Sequence, residues 1–110
     1  NTVRDHDGLA LSSRNSRLSL TERSAAVVVP QSLQAIISAF QNGERKSENL
    51  IQIGMQVLEK ESKCNVDYVV VVDPDTMTEL DAATESSVVC VAATFGSIRL
   101  IDNSELGMVV

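Results

Sequence analysis

The chain has 110 residues and a mass of 11.9 kDa, which leaves room for one domain around one core and none for a second. With 44% hydrophobic and 22% charged residues it is not a disordered chain, and a net charge of −6 with a pI near 4.6 repels polyanions, so neither nucleic acid nor an anionic membrane is expected as a partner. The aromatic residues are Phe40, Tyr68 and Phe95, too few for a base-stacking platform, so Val, Ile and Leu must build the core.

The net charge hides an asymmetry. Residues 1–23 carry Arg4, Arg14, Arg17 and Arg23 against Asp5, Asp7 and Glu22, a balance of +1 that leaves −7 for the rest. An arginine-rich end on an acidic body suits a small anionic ligand such as a nucleotide phosphate. Cys64 and Cys90 stand far apart, without zinc-ligand spacing, and read as reduced, buried thiols of a cytoplasmic protein. No secretion signal opens the chain, and no apolar run approaches the ~20 residues that span a bilayer. The first residue is Asn1 rather than Met, and further sequence is expected upstream.

In chain order, residues 1–18 show neither a helical nor a strand period and read as a loop or connecting arm. Ser19-Leu20-Thr21-Glu22 has the pattern of a capping box, which predicts a helix start. Ala26, Val29, Leu33, Ile36, Ile37 and Phe40 then form one apolar stripe that ends at Asn42-Gly43, and Pro30 predicts a kink near Ala26. A second helix is predicted from Ser47, with Glu48 in its first turn and Leu50, Ile51, Gly54, Val57 and Leu58 on its apolar face. The two helices should form an antiparallel hairpin.

Val66–Val72 is a β-branched strand closed by the turn residues Asp73-Pro74-Asp75. Its Val69–Val72 run is aggregation-prone if exposed, so it belongs in the centre of a sheet or against the helices. Ser87–Phe95 and Ile98–Asp102, joined by Gly96-Ser97, predict a hairpin. The expected fold class is α+β: a helical hairpin on a small three-stranded, mostly antiparallel sheet, preceded by an N-terminal arm.

The segment richest in chemistry is Asp7-Gly8-Leu9-Ala10-Leu11-Ser12-Ser13-Arg14-Asn15. Two adjacent hydroxyls and a guanidinium form a compact set of donors for phosphate oxygens, although Ser-Ser-Arg alone also fits a solvated turn. Together with Thr2-Val3-Arg4, this segment resembles the pantothenate synthetase (pantoate beta-alanine ligase) family's version of the KMSKS loop of nucleotidyltransferase-like enzymes. Leu18, Glu22-Arg23, Asp67-Tyr68, Asp73 with Thr76 and Leu80, Val91-Ala92-Ala93 and Arg99-Leu100-Ile101-Asp102-Asn103 continue the resemblance in the family's order.

The resemblance implies an interdomain connector and ATP-phosphate loop over residues 1–18, and the family's C-terminal domain over 19–110. It implies a parent ligase that condenses pantoate and beta-alanine through pantoyl adenylate, uses ATP with Mg²⁺, and forms a homodimer. It assigns Ser12, Ser13 and Arg14 to the ATP phosphates, and backbone groups of Val3 and Leu11 to the adenine. Leu11 stands where the family often has Met, which a backbone contact tolerates, and His6 inherits no role. The family's HIGH-like motif, pantoate pocket and phosphate-binding lysine belong to its N-terminal domain and are absent here. The chain alone is therefore expected neither to make pantothenate nor to bind ATP tightly. Two rival readings are a non-enzymatic interaction domain and an autonomous nucleotide-binding module. Asp73 and Asp75 read as a turn rather than a metal pair, and Arg99 as pairing with an acidic residue across the sheet or contacting the upstream domain.

Overall fold

A computed structural model of the protein describes residues 20–107. The arm over residues 1–18 and the capping serine, Ser19, lie outside the described residues. Within them the elements run α1 (Leu20–Ala26), α2 (Val28–Gln41), α3 (Ser47–Glu59), β1 (Cys64–Val72), β2 (Val88–Phe95) and β3 (Ile98–Glu105).

Proline divides the first helical stretch. Pro30 has no N–H for the Ala26 carbonyl, and its ring crowds that turn, so the expected kink is a break at Val27. Regular bonding resumes when the Gln31 N–H donates to the Val27 carbonyl at 3.2 Å. The buried stripe of α2 is Val29, Ser32, Leu33, Ile36, Ile37 and Phe40. Ser32 is tolerated there because its hydroxyl donates to the Val29 carbonyl at 2.6 Å. The helix closes through Asn42, whose N–H donates to the Ser38 carbonyl, and through Gly43, whose φ of +110° needs a residue without Cβ.

Residues 42–46 turn the chain back into α3. Arg45 donates to the Phe40 carbonyl at 2.6 Å and lies 3.9 Å from the centre of the Phe40 ring, so a cation satisfies the negative end of α2. The Glu44 carboxylate accepts from the Lys46 and Arg45 backbone N–H groups and from the Asn49 side chain. Those bonds, the Lys46 amide foremost, hold its pKa below the ordinary carboxylate value. In α3, Leu50, Gly54 and Leu58 are buried as expected, and Val57 is half-buried at the margin of the apolar face.

The sheet is antiparallel throughout, in the order β1-β2-β3, so β2 is central and β1 lies at an edge. The central position considered for Val69–Val72 is thereby corrected. The alternative holds for Val69 and Val71, which are buried under the helices. The outer edge of β1 is partly covered where the Leu80 N–H donates to the Val71 carbonyl at 2.9 Å and Val72 bridges Glu79. Alternation along each strand sends Val69, Val71, Val89, Val91, Ala93, Phe95, Ile98 and Leu100 into one core with α2 and α3. The other face of the sheet carries no described helix.

Candidate functional site

Val3, Leu11, Ser12, Ser13 and Arg14, the residues assigned to ATP, lie outside the described residues, as does His6.

On the open face of the sheet, Asp67 and Arg99 meet across the intervening β2. Arg99 donates from Nε at 2.9 Å and from a terminal nitrogen at 2.6 Å to the same Asp67 oxygen. A β-bulge makes this possible. Val66 pairs with Ala93 and Tyr68 with Ala92, leaving Asp67 as the extra residue, with its side chain re-aimed toward β3. Of the two roles considered for Arg99, pairing across the sheet is the one observed. Both side chains are half exposed, so the pair contributes little stability.

Beside the pair runs an open groove of about 400 Å³ lined by Tyr68, Val70, Val72, Met77, Glu79 and Cys90. Met77 is an exposed hydrophobic residue held at φ +57°, on a loop whose start is fixed by Asp73. The Asp73 carboxylate accepts from the Asp75 N–H at 2.8 Å and the Thr76 N–H at 3.2 Å, and the Thr76 and Thr78 hydroxyls touch. Asp-Pro-Asp is therefore a turn, as its composition predicts.

The chemistry of the groove is limited. Cys90 is a free thiol whose pKa is raised by burial, which makes it a poor nucleophile near neutrality. Cys64, also free, is pushed up to about 11, first by burial and then by the nearby Glu61 charge. Among the described residues no group of three or more His, Cys, Asp and Glu side chains is arranged to hold a metal ion, and no helix is long and apolar enough to cross a membrane. The sequence reading attached no role to Asp102, a buried carboxylate on the core-facing side of β3 whose Oδ1 accepts the Asn103 N–H at 2.8 Å. It also missed the groove, although the alternation of Val69 and Val71 with Val70 and Val72 already implies a second, partly apolar face.

Comparison with known proteins places this body. The pantoate-beta-alanine ligase family profile matches residues 1–105. The pantothenate synthetase of Citrifermentans bemidjiense is 43% identical over 105 residues, covering 96% of this chain and 38% of the relative. That of Acidobacterium capsulatum is 42% identical over 105 residues, covering 96% and 35%. The crystal structure of pantothenate synthetase from Thermus thermophilus superposes with a TM-score of 0.90 at 35% identity, over 96% of this chain and 38% of that one. Francisella tularensis pantoate-beta-alanine ligase, complexed with beta-gamma ATP and beta-alanine, shares the fold at a TM-score of 0.57 and 22% identity, over 97% and 32% of the two chains. The chain thus spans little more than a third of the length of these relatives. With the family match running through residue 105 and the same helical hairpin and antiparallel sheet in the Thermus structure, this chain belongs to the pantoate-beta-alanine ligase family.

Proposed function

We propose that the chain is the C-terminal, phosphate-gripping part of a pantothenate synthetase. The observation that carries this reading is the family match from residue 1, which takes in Ser12-Ser13-Arg14 as well as the folded body. In the proposed reaction the pantoate carboxylate attacks the α-phosphorus of ATP and pyrophosphate departs. The amine of beta-alanine then attacks the acyl carbon of pantoyl adenylate, and AMP leaves.

In that scheme the hydroxyls of Ser12 and Ser13 and the Arg14 guanidinium bind the β- and γ-phosphates, where negative charge accumulates on the leaving group. Donors and a fixed cation aimed there stabilise the transition state more than the ground state. Backbone groups of Val3 and Leu11 hold the adenine. Residues 1–18 act as connector and phosphate loop, and residues 19–110 as a C-terminal lid that closes over ATP and excludes water. Mg²⁺ would offset the charge on the phosphates. Pantoate and beta-alanine bind mainly to the upstream domain. The parent works as a homodimer in the cytoplasm, where Cys64 and Cys90 stay reduced.

Titration calorimetry tests the split site. ATP-Mg²⁺ is titrated into this chain alone, and again after addition of the N-terminal part of the same ligase. The expected result is heat of binding and pantothenate formation only with both parts present. Equal binding by the chain alone would instead establish an autonomous nucleotide module.

A further inference from the structure

Among the described residues the exposed large hydrophobic side chains are Met77 and Ile101, 65% and 47% exposed, and both border the open face of the sheet. Ile101 stands opposite Ala92, which pairs with Tyr68, and in the next row Val70 stands opposite Cys90. Met77 lines the groove with Tyr68, Val70 and Cys90, so a strip of apolar surface runs from β3 across all three strands to the loop after β1. A contiguous exposed strip of this kind marks an interaction surface.

The margins of the strip are charged. Residues 73–85 contain Asp73, Asp75, Glu79, Asp81 and Glu85 and no Lys, Arg or His. Asp73 is used within its own turn, whereas the other four are exposed, and Glu79 lines the groove itself. The Asp67–Arg99 pair lies at the opposite margin. An apolar centre with a charged rim is the anatomy of an interface. The rim is also built to hold its shape: the Met77 N–H donates to the Asp73 carbonyl at 2.7 Å and the Asp73 N–H to the Thr78 carbonyl at 3.0 Å, with Met77 at φ +57°. A loop ordered in advance costs less to immobilise on docking.

Charge and length choose the occupant. A second copy brings the same acidic loop, and the cation of this face, Arg99, is bound to Asp67 of its own chain, so two copies are poorly matched. The relatives are much longer, this chain spanning 38% and 35% of two of them, so a larger body has to meet this one. The outward faces of α2 and α3 present Gln31, Gln34, Gln52 and Gln56, all exposed, which suits water. We infer that the open face of the sheet is the surface through which this part docks on the upstream part of the ligase, against an aliphatic surface with Lys or Arg opposite Asp75 and Glu79; this rests on the reading of the chain as the C-terminal part of that enzyme.

The test is thiol labelling of the full-length ligase that carries this chain. Met77→Cys, Ile101→Cys and, as a control on the outward face of α2, Gln34→Cys are alkylated with iodoacetamide, and each new thiol's rate, read by peptide mapping, is divided by its rate in urea. All three positions are exposed in the described body, so the substitutions leave its core intact. Docking should slow the thiols at positions 77 and 101 roughly tenfold relative to that at position 34. Glu79→Lys, added to Ile101→Cys, should speed labelling at position 101 roughly three- to tenfold by repelling the partner's cation, with circular dichroism unchanged. Labelling at 77 and 101 as fast as at 34 would leave the face in water and overturn the inference. Protection that disappears once the ligase is diluted to monomers would overturn it too, by handing the face to a second copy. An unchanged rate on adding Glu79→Lys would remove the basic partner surface and with it this choice of occupant. A wild-type ligase that makes no pantothenate from ATP, pantoate and beta-alanine would sink the proposed function, whereas an active ligase with fast labelling at both thiols sinks the docking surface alone.

Discussion

The two faces of the sheet are made by the same strands and do different work. On the helix-covered face β2 contributes Val89, Val91, Ala93 and Phe95, all fully buried, and β1 adds Val69 and Val71. On the open face the same strands present Tyr68, Val70, Cys90 and Thr94, half-buried, with the Asp67–Arg99 pair at one end and the Met77 loop at the other. Ala92 is buried even there, set in register between Tyr68 and Ile101. The difference teaches that period-two alternation assigns residues to faces, whereas the helices packed against the sheet decide which face becomes core. Substitutions on the covered face should therefore cost stability by cavity or overlap, and those on the open face should cost little.

The largest effect is expected at Phe95, which fills the core at the end of β2 with no exposed surface. Phe95→Ala should destabilise by about 3–5 kcal/mol, read as a shift in the urea midpoint at unchanged slope. A loss no greater than that of an open-face substitution would erase the distinction between the faces.

Next comes Gly54, where α3 approaches α2 closely. A Cβ placed there would lie 2.6 Å from Cδ1 of Ile36 and 3.6 Å from Cγ1 of Val69. Gly54→Val should cost about 1–3 kcal/mol through overpacking. Gly54→Ala should come out nearer neutral, because its helix-propensity gain of roughly 1 kcal/mol offsets the displacement of a terminal methyl. Combining Gly54→Ala with Ile36→Val removes the clashing atom, so the pair should be more stable than the sum of the single changes predicts. Strict additivity would mean that the approach is not tight.

Much of this architecture was legible in the sequence because it is written in local terms. The stripe from Ala26 to Phe40, the glycines at 43 and 96, and the Asp73 turn each predict their own geometry from residue type and spacing. The break at Val27 follows from one missing N–H at Pro30. The strand order was not legible. A β-branched run such as Val69–Val72 looks equally suited to a central or an edge strand, and here the edge is made tolerable by residues 78–80, whose bridge to β1 has no local signature. The Asp67 bulge was hidden for a similar reason, since one extra residue in a run of valines leaves the composition unchanged. The candidate site divides the same way: Ser12-Ser13-Arg14 is legible only as a linear motif, whereas the Asp67–Arg99 pair joins residues 32 positions apart and shows only in the fold.

On the open face the sharpest probe is the Asp67–Arg99 pair. A double-mutant cycle with Asp67→Asn and Arg99→Gln should give a coupling of about 0.2–1 kcal/mol that shrinks as salt is raised. A coupling of several kcal/mol, insensitive to salt, would mean that this face is shielded from water and that the contrast between the two faces is wrong.

The smallest effect is absent at neutral pH. Cys64 ionises near 9.0 in an unfolded chain, and burial aided by the Glu61 charge raises it to about 11 in the folded one. A raised pKa means that the folded state holds its proton more tightly. The associated stability is present in full below pH 9 and is lost as the pH climbs toward 11. Urea midpoints of the wild type should therefore fall slightly over that interval, and the Cys64→Ala variant should show a flatter slope there. Alkylation of Cys64 by iodoacetamide at pH 8 should be slower than that of an unfolded control. Identical slopes in the two proteins, with alkylation as fast as in the unfolded chain, would place Cys64 in water rather than against the helices.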